Sequence, residues 1–178
     1  MNIVLAPPTQ FYYSGKGDDV VFNLVANNTY TILHFTHDGT RNFAVQVYDA
    51  DDRRDLLVNT IGRYEGYVLL SKKSTYKLDI TADGDWSVRV IPFQHTDSML
   101  FSGTGDMVTS AFIADTTDWQ FTHDGNRNFA VYQYSLSNRD LLVNTIGRYD
   151  GAKVSSIRKG TASFFVIIAD GEWTISPK

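Results

Sequence analysis

Apolar residues along this chain fall at every second position, and helical spacing is almost absent. In the first half Val20/Phe22/Leu24, Leu33/Phe35, Phe43/Val45/Val47, Leu56/Val58, Leu78/Ile80 and Trp86/Val88/Val90 each fit one face of an extended strand. The second half answers with Val108/Phe112, Trp119/Phe121, Phe129/Val131, Leu141/Val143, Phe165/Ile167 and Trp173/Ile175. Turn signals separate these runs: His-Asp-Gly at 37–39 and 123–125, Ala-Asp-Gly at 82–84 and 169–171, and the pairs Gly62/Gly66 and Gly147/Gly151. About six to eight short strands per half, each with one polar face, predict an all-β sandwich or jelly roll. Residues 2–5 would add one more edge strand.

The two halves are copies. Phe35–Gly66 recurs as Phe121–Gly151, with 23 of 31 aligned positions identical and one gap where Asp49–Arg53 faces Ser135–Asn138. A repeat this long is a folding unit. The chain therefore reads as two tandem β-sandwich, jelly-roll-like units: 1–92, with an N-terminal extension over 1–9, and 93–178, with a linker over about 91–100. Each is long enough to bury only roughly 60–65% of its unfolded surface, so both gain from further packing.

Composition narrows the functional classes. Hydrophobic residues make up 43% and aromatic residues 13% of the 178, with ten Tyr and eleven Phe, which favours strands. The net charge of −4 offers no basic face for nucleic acid or anionic lipid. The absence of Cys excludes disulfides, Cys-ligated zinc and thiol nucleophiles. No apolar run approaches the roughly 20 residues of a membrane-spanning helix. The first residues lack a basic stretch followed by a long apolar core, so no signal peptide is visible, and localisation is left open.

The repeats differ most pointedly in one strand. Aligning Trp86 with Trp173 sets Phe164, Val166 and Ile168 opposite Lys77, Asp79 and Thr81. An outer face of Phe, Val and Ile needs a cover, which the partner unit or another subunit of a homo-oligomer would supply, with ligand binding as the alternative.

The order of signals within each half resembles a repeat of bacterial extracellular and surface proteins. It runs Ser-Gly-x-Gly-Asp (Ser14–Asp18, Ser102–Asp106), H-x-G-x-x-N-F-x-V (His37–Val45, His123–Val131), L-V-N-x-I-G-x-Y-x-G (Leu57–Gly66, Leu142–Gly151) and A-D-G-x-W (Ala82–Trp86, Ala169–Trp173). It is also loosely similar to the pre-peptidase C-terminal jelly rolls appended to secreted hydrolases. The resemblance covers most of the chain. It implies an all-β accessory or adhesion module with a glycan or protein partner, at a cell surface or outside the cell.

Individual residues suggest several chemistries. His37–Asp38 and His123–Asp124 could serve acid–base or metal chemistry. Adjacent strand residues point to opposite faces, however, and Asp-Gly at a hairpin tip is already explained by positive-φ turn geometry. Asn42/Asn128 and Asn59/Asn144 fit buried amides that satisfy loop backbone. The alternative is a polar ligand pocket of Asn59, Arg63 and Tyr64, with twins Asn144, Arg148 and Tyr149: a planar fork, an amide and a ring, as sugar recognition requires. Calcium could find oxygens at Asp49/Asp51/Asp52/Asp55 and Asp83/Asp85, but the second copy has Ser135, Ser137 and Asn138 in the first cluster's place. Gly15–Gly17 and Gly103–Gly105 precede strands, whereas a phosphate cradle needs a helix behind its glycines. Trp86 and Trp173 fit core plugs better than sugar platforms.

No catalytic or metal-ligating set emerges. The residues point to a non-enzymatic binding or adhesion module, carbohydrate-binding in a lectin-like way. The rivals are an assembly protein that oligomerises through the apolar strand 163–168, and a glycosidase, which would need two carboxylates flanking a cleft.

Overall fold

The computed structural model describes residues 12–178, and among them every regular element is a β-strand. The expected extension over 1–9, with its extra strand at 2–5, lies outside the described residues. Four antiparallel sheets form. Compactness divides the chain into two units: residues up to Tyr64 with Leu70–Ile91, and Pro92–Lys178 with Glu65–Leu69.

The first repeat's strands are β1 (Tyr12–Lys16), β2 (Asp19–Ala26), β3 (Thr31–His37), β4 (Asn42–Tyr48), β5 (Arg54–Ile61), β6 (Tyr64–Leu70), β7 (Ser74–Thr81) and β8 (Asp85–Ile91), all within the first unit except Glu65–Leu69 of β6. They build two sheets, in the orders β1-β8-β3-β6 and β2-β7-β4-β5. The second unit has β9 (Phe101–Thr104), β10 (Met107–Val108), β11 (Phe112–Ile113), β12 (Asp118–His123), β13 (Asn128–Ser135), β14 (Arg139–Ile146), β15 (Tyr149–Val154), β16 (Ala162–Ile168) and β17 (Glu172–Pro177). Its sheets run β15-β12-β17-β9 and β10-β16-β13-β14, with β11 also on β16. Strand for strand, the order is that of the first unit, with β10 and β11 standing where β2 is continuous.

Alternation puts one face of each sheet into a core. In the second unit Trp119, Phe121, Trp173 and Ile175 from one sheet meet Phe129, Val131, Leu142, Val143, Phe165 and Ile167 from the other, with Phe112 among them. The alternation breaks at bulges. The register of β2 shifts between Val21 and Leu24, where Asn23 takes φ 61°, a conformation Asn tolerates better than most residues. Val21 and Leu24 are therefore buried, while Val20 and Phe22 face outward. The expected face Val20/Phe22/Leu24 is wrong for that reason. A shift between Val45 and Gln46, repeated between Val131 and Tyr132, likewise turns Leu56 and Leu141 outward while Val58 and Val143 stay in the core. The break between β10 and β11 separates Val108, which pairs with Val166 and is itself buried, from Phe112, which enters the core.

That break has a visible cause. Ala111 donates to the Gln94 carbonyl and accepts from the Thr96 amide, each at 2.8 Å, so residues 94–96 pair with the opened strand. Thr109 repairs the ladder: its amide donates to the Phe165 carbonyl, and its Oγ1 accepts the Phe165 amide, both at 2.9 Å.

Candidate functional site

One end of each unit is held by the repeated motifs. His37 closes β3 with its side chain buried. Its Nδ1 donates to the Gly62 carbonyl at 2.9 Å, its ring stacks on Phe43 at 4.4 Å, and Nε2 makes an electrostatic contact with Asp83 Oδ1 at 3.4 Å. The histidine's acidic partner is thus Asp83 of the Ala-Asp-Gly turn and not the adjacent Asp38. Asp38 Oδ1 instead accepts the Asp85 amide at 2.7 Å. His123 repeats the arrangement with Gly147 at 2.9 Å, Phe129 at 4.4 Å and Asp170 at 3.4 Å. Burial opposes ionisation of Asp83, yet the amides of Arg41 and Thr40, the Thr40 hydroxyl and His37 outweigh it and hold the carboxyl below its ordinary value. Asp170 is shifted the same way: burial is outweighed by the amides of Arg127 and Asn126 and by His123.

The glycines of His-Asp-Gly need space, not positive φ. Neither Gly39 nor Gly125 lies in the left-handed region. A Cβ on Gly39 would come within 2.2 Å of Asp83 Oδ1 and 2.4 Å of His37 Nε2, and Gly125 is equally crowded. The turn-geometry expectation is corrected accordingly: glycine lets the histidine and the aspartate meet.

The Ser-Gly-x-Gly-Asp and Ala-Asp-Gly-x-Trp motifs fasten to each other. Trp86 Nε1 donates to the Gly17 carbonyl at 2.9 Å, and Asp18 Oδ1 accepts the Ala82 amide at 2.9 Å. Trp173 with Gly105, and Asp106 with Ala169, repeat this at 3.0 Å each. Both indoles are buried, as core plugs are.

Above this closure the second unit carries a cleft of about 480 Å³, lined by Thr122, Asp124, Arg148, Tyr149, Asp150, Glu172 and Thr174 among others. Thr122 and Thr174 share a hydrogen bond of 2.6 Å, and Gln120 Nε2 donates to Asp150 Oδ1 at 2.6 Å. Hydroxyls, one guanidinium and three carboxylates thus converge at the end of the β15-β12-β17 sheet. The first repeat has the matching residues Thr36, Asp38, Arg63, Tyr64, Glu65, Asp85 and Ser87, with Thr36 and Ser87 hydrogen-bonded at 2.6 Å. There Lys16 lies 3.6 Å from Asp85, whereas the strand partner of Glu172 is Thr104.

Of the residues singled out from the sequence, Arg148 and Tyr149 line this cleft. Asn144 does not join them: it is exposed on β14, in the other sheet, opposite Ala130. Asn59 sits likewise on β5, opposite Ala44, away from Arg63 and from Tyr64 on β6. All four repeated asparagines are exposed, so the buried-amide expectation is also wrong. Sequence reasoning missed Thr122, Thr174 and Glu172. Their signal was available: each has a hydroxyl or acidic twin in the other repeat.

The acidic cluster near Asp49 carries its own cation. Lys72 Nζ lies 2.7 Å from Asp49 and 3.0 Å from Asp51. The Lys72 hydrogen bond, aided by the amides of Arg53 and Asp51 against partial desolvation, lowers the Asp49 carboxyl to about 2. Among the described residues no group of three or more His, Asp or Glu side chains is arranged to hold a metal ion.

On β16, Phe164 is buried, Val166 half-buried and Ile168 exposed. Phe164 stacks on Tyr134 at 5.3 Å and meets the Phe93 ring edge-on at 4.9 Å. Part of its cover is therefore the segment that leads into its own unit. Among the described residues no helix is long and apolar enough to cross a membrane.

No protein-family model matches the chain, and no curated protein matches it either.

Proposed function

We propose that the chain is a tandem jelly-roll binding module of the adhesive, surface-repeat kind, and that its second unit recognises a carbohydrate through the Arg148/Tyr149 cleft. The strand orders β1-β8-β3-β6 and β2-β7-β4-β5, repeated in the second unit, support the jelly-roll reading, since they join two Greek keys into one sandwich.

The observation that carries the ligand class is the lining of the cleft. A volume of about 480 Å³ suits one or two sugar rings. Its walls alternate acceptors (Asp124, Asp150, Glu172) with a fixed planar donor (Arg148) and hydroxyls that do both (Thr122, Thr174). That mixture matches a ring of hydroxyl groups, each of which donates and accepts. Stacking contributes little, because Trp173 is buried and Tyr149 is turned toward Phe129, 6.0 Å away between ring centres. Recognition is of edges, not faces.

A glycan array probed with the labelled protein, followed by calorimetry on any hit, tests this reading. Arg148→Ala and Glu172→Gln should each weaken binding about tenfold or more, since each leaves partners unpaired. Arg63→Ala is the internal control for the first unit. An array with no signal above background, or a hit untouched by both second-unit changes, would refute the reading.

A further inference from the structure

The charge of the cleft narrows the kind of sugar that fits it, a step that rests on the carbohydrate reading above. Three carboxylates, Asp124, Asp150 and Glu172, line it against one guanidinium, Arg148, which leaves a surplus of negative charge. Two of the three are held by neutral donors. Asp124 Oδ1 accepts the Glu172 amide at 2.8 Å, and Asp150 Oδ1 accepts Gln120 Nε2 at 2.6 Å. Neither donor cancels a charge. The Glu172 side chain is exposed, and among the described residues no Lys or Arg pairs with it.

The first repeat treats the same strand position differently. Asp85 is the twin of Glu172, and its cross-strand partner Lys16 brings Nζ to 3.6 Å from Asp85 Oδ1. The twin of Lys16 is Thr104, which lies opposite Glu172 and carries no charge. One repeat thus sets an ammonium of its own on this carboxylate, and the other leaves the carboxylate to a ligand. The lysine shows the chemistry that the position accepts.

We propose that the cleft selects sugars bearing a free amino group, with the ligand's ammonium on Glu172 in the role that Lys16 plays for Asp85. The ammonium donates charge-assisted hydrogen bonds to the carboxylate, while ring hydroxyls meet Arg148, Thr122 and Thr174. N-acetylation removes the charge and with it the preference. A uronate, sulfated or sialylated ring would add negative charge to a lining that already has an excess of it, and such like-charge contact discriminates against the wrong partner.

Calorimetry at mildly acidic pH and low salt, with disaccharides of glucosamine, of N-acetylglucosamine and of a uronate, tests this. The glucosamine form should bind about three- to fivefold more tightly than its acetylated twin, the range of an exposed ion pair. The uronate should bind most weakly, and added salt should shrink the differences. Thr104→Lys, an exposed change outside the cleft lining, gives the second repeat the internal ammonium of the first and should erase the preference. Circular dichroism matching wild type would confirm that this variant is folded. Putrescine, an ammonium without a ring, should bind more weakly than the amino sugar. Equal affinity for the free and acetylated amines, tighter binding of the uronate, putrescine binding as tight as the sugar's, or a preference that survives Thr104→Lys overturns the inference. Each of the outcomes in which a sugar still binds leaves the carbohydrate reading standing. Failure of every sugar to bind overturns both.

Discussion

The two units reach the same fold with differently filled cores. Where the first has Leu33, Val47, Tyr76 and Leu78, the second has Trp119, Gln133, Ser163 and Phe165. Tyr76 extends its hydroxyl out of its core to donate to the Lys72 carbonyl at 2.7 Å. In the second unit Ser163 surrenders that volume. Trp119 and Phe165 take it up, crossing edge-to-face at 5.0 Å between ring centres. Total volume is kept while individual positions trade it, which is what a close-packed interior permits. One exchange is less well balanced. Gln133, fully buried at the place of Val47, has neither its amide nitrogen nor its oxygen hydrogen-bonded, and Trp119 Nε1 also lacks a hydrogen bond. The closure at one end does not vary: histidine, aspartate, crowded glycine and plugging indole are the same in both repeats. Packing tolerates exchange; the fixed polar geometry does not.

The largest effects should come from what the units share. Phe43→Ala and Phe129→Ala remove fully buried rings that also support the histidines, and each should cost about 3–5 kcal/mol in denaturant unfolding. Equal losses would show that both closures carry equal weight.

Next come the exchanged positions. Trp119→Leu alone should cost about 2–4 kcal/mol through the cavity it opens. Adding Ser163→Tyr, Phe165→Leu and Gln133→Val, which imports the first unit's solution, should recover most of that loss. A quadruple variant less stable than Trp119→Leu would mean that the two cores are not interchangeable. Gln133→Val by itself should be stabilising by roughly 1–2 kcal/mol, because it removes two buried polar groups that make no hydrogen bond.

Acid should act on the invariant part. Asp83 and Asp170 titrate lower in the folded chain than their ordinary value, so their contribution is complete above about pH 4 and fades as pH falls through the lowered values. Melting temperature should therefore drop as pH falls below about 4. Asp83→Asn with Asp170→Asn should flatten that slope while lowering stability at neutral pH.

The smallest expected effect lies where the units differ most. Lys72→Met should move the Asp49 carboxyl from about 2 back toward 3.8 in an NMR titration. The second unit has Ser135 there and nothing to titrate.

Strand number, turn positions and most core residues were legible in the chain, because period-two patterning is a local property. The failures cluster at bulges. Val20, Phe22, Leu56 and Leu141 fit the pattern, but one extra residue shifts the phase, and no local signal distinguishes the two phases. The site was half legible. Arg148 and Tyr149 are neighbours in sequence and stay neighbours in space, so their repetition pointed to the cleft. Asn144 was grouped with them by proximity along the chain, although the turn at Gly147 sends β15 into the other sheet. The histidine's partner was hidden for the converse reason: Asp83 lies 46 residues beyond His37, and only the fold brings the two turns together.

The pairing of first strand with last has a genetic consequence. Tyr12 on β1 faces Arg89 on β8, and Phe101 on β9 faces Ile175 on β17, so each unit's chain leaves beside the point where it came in. A segment with adjoining ends behaves as a cassette. Copying it in tandem asks for a short connector and no rerouting of strands.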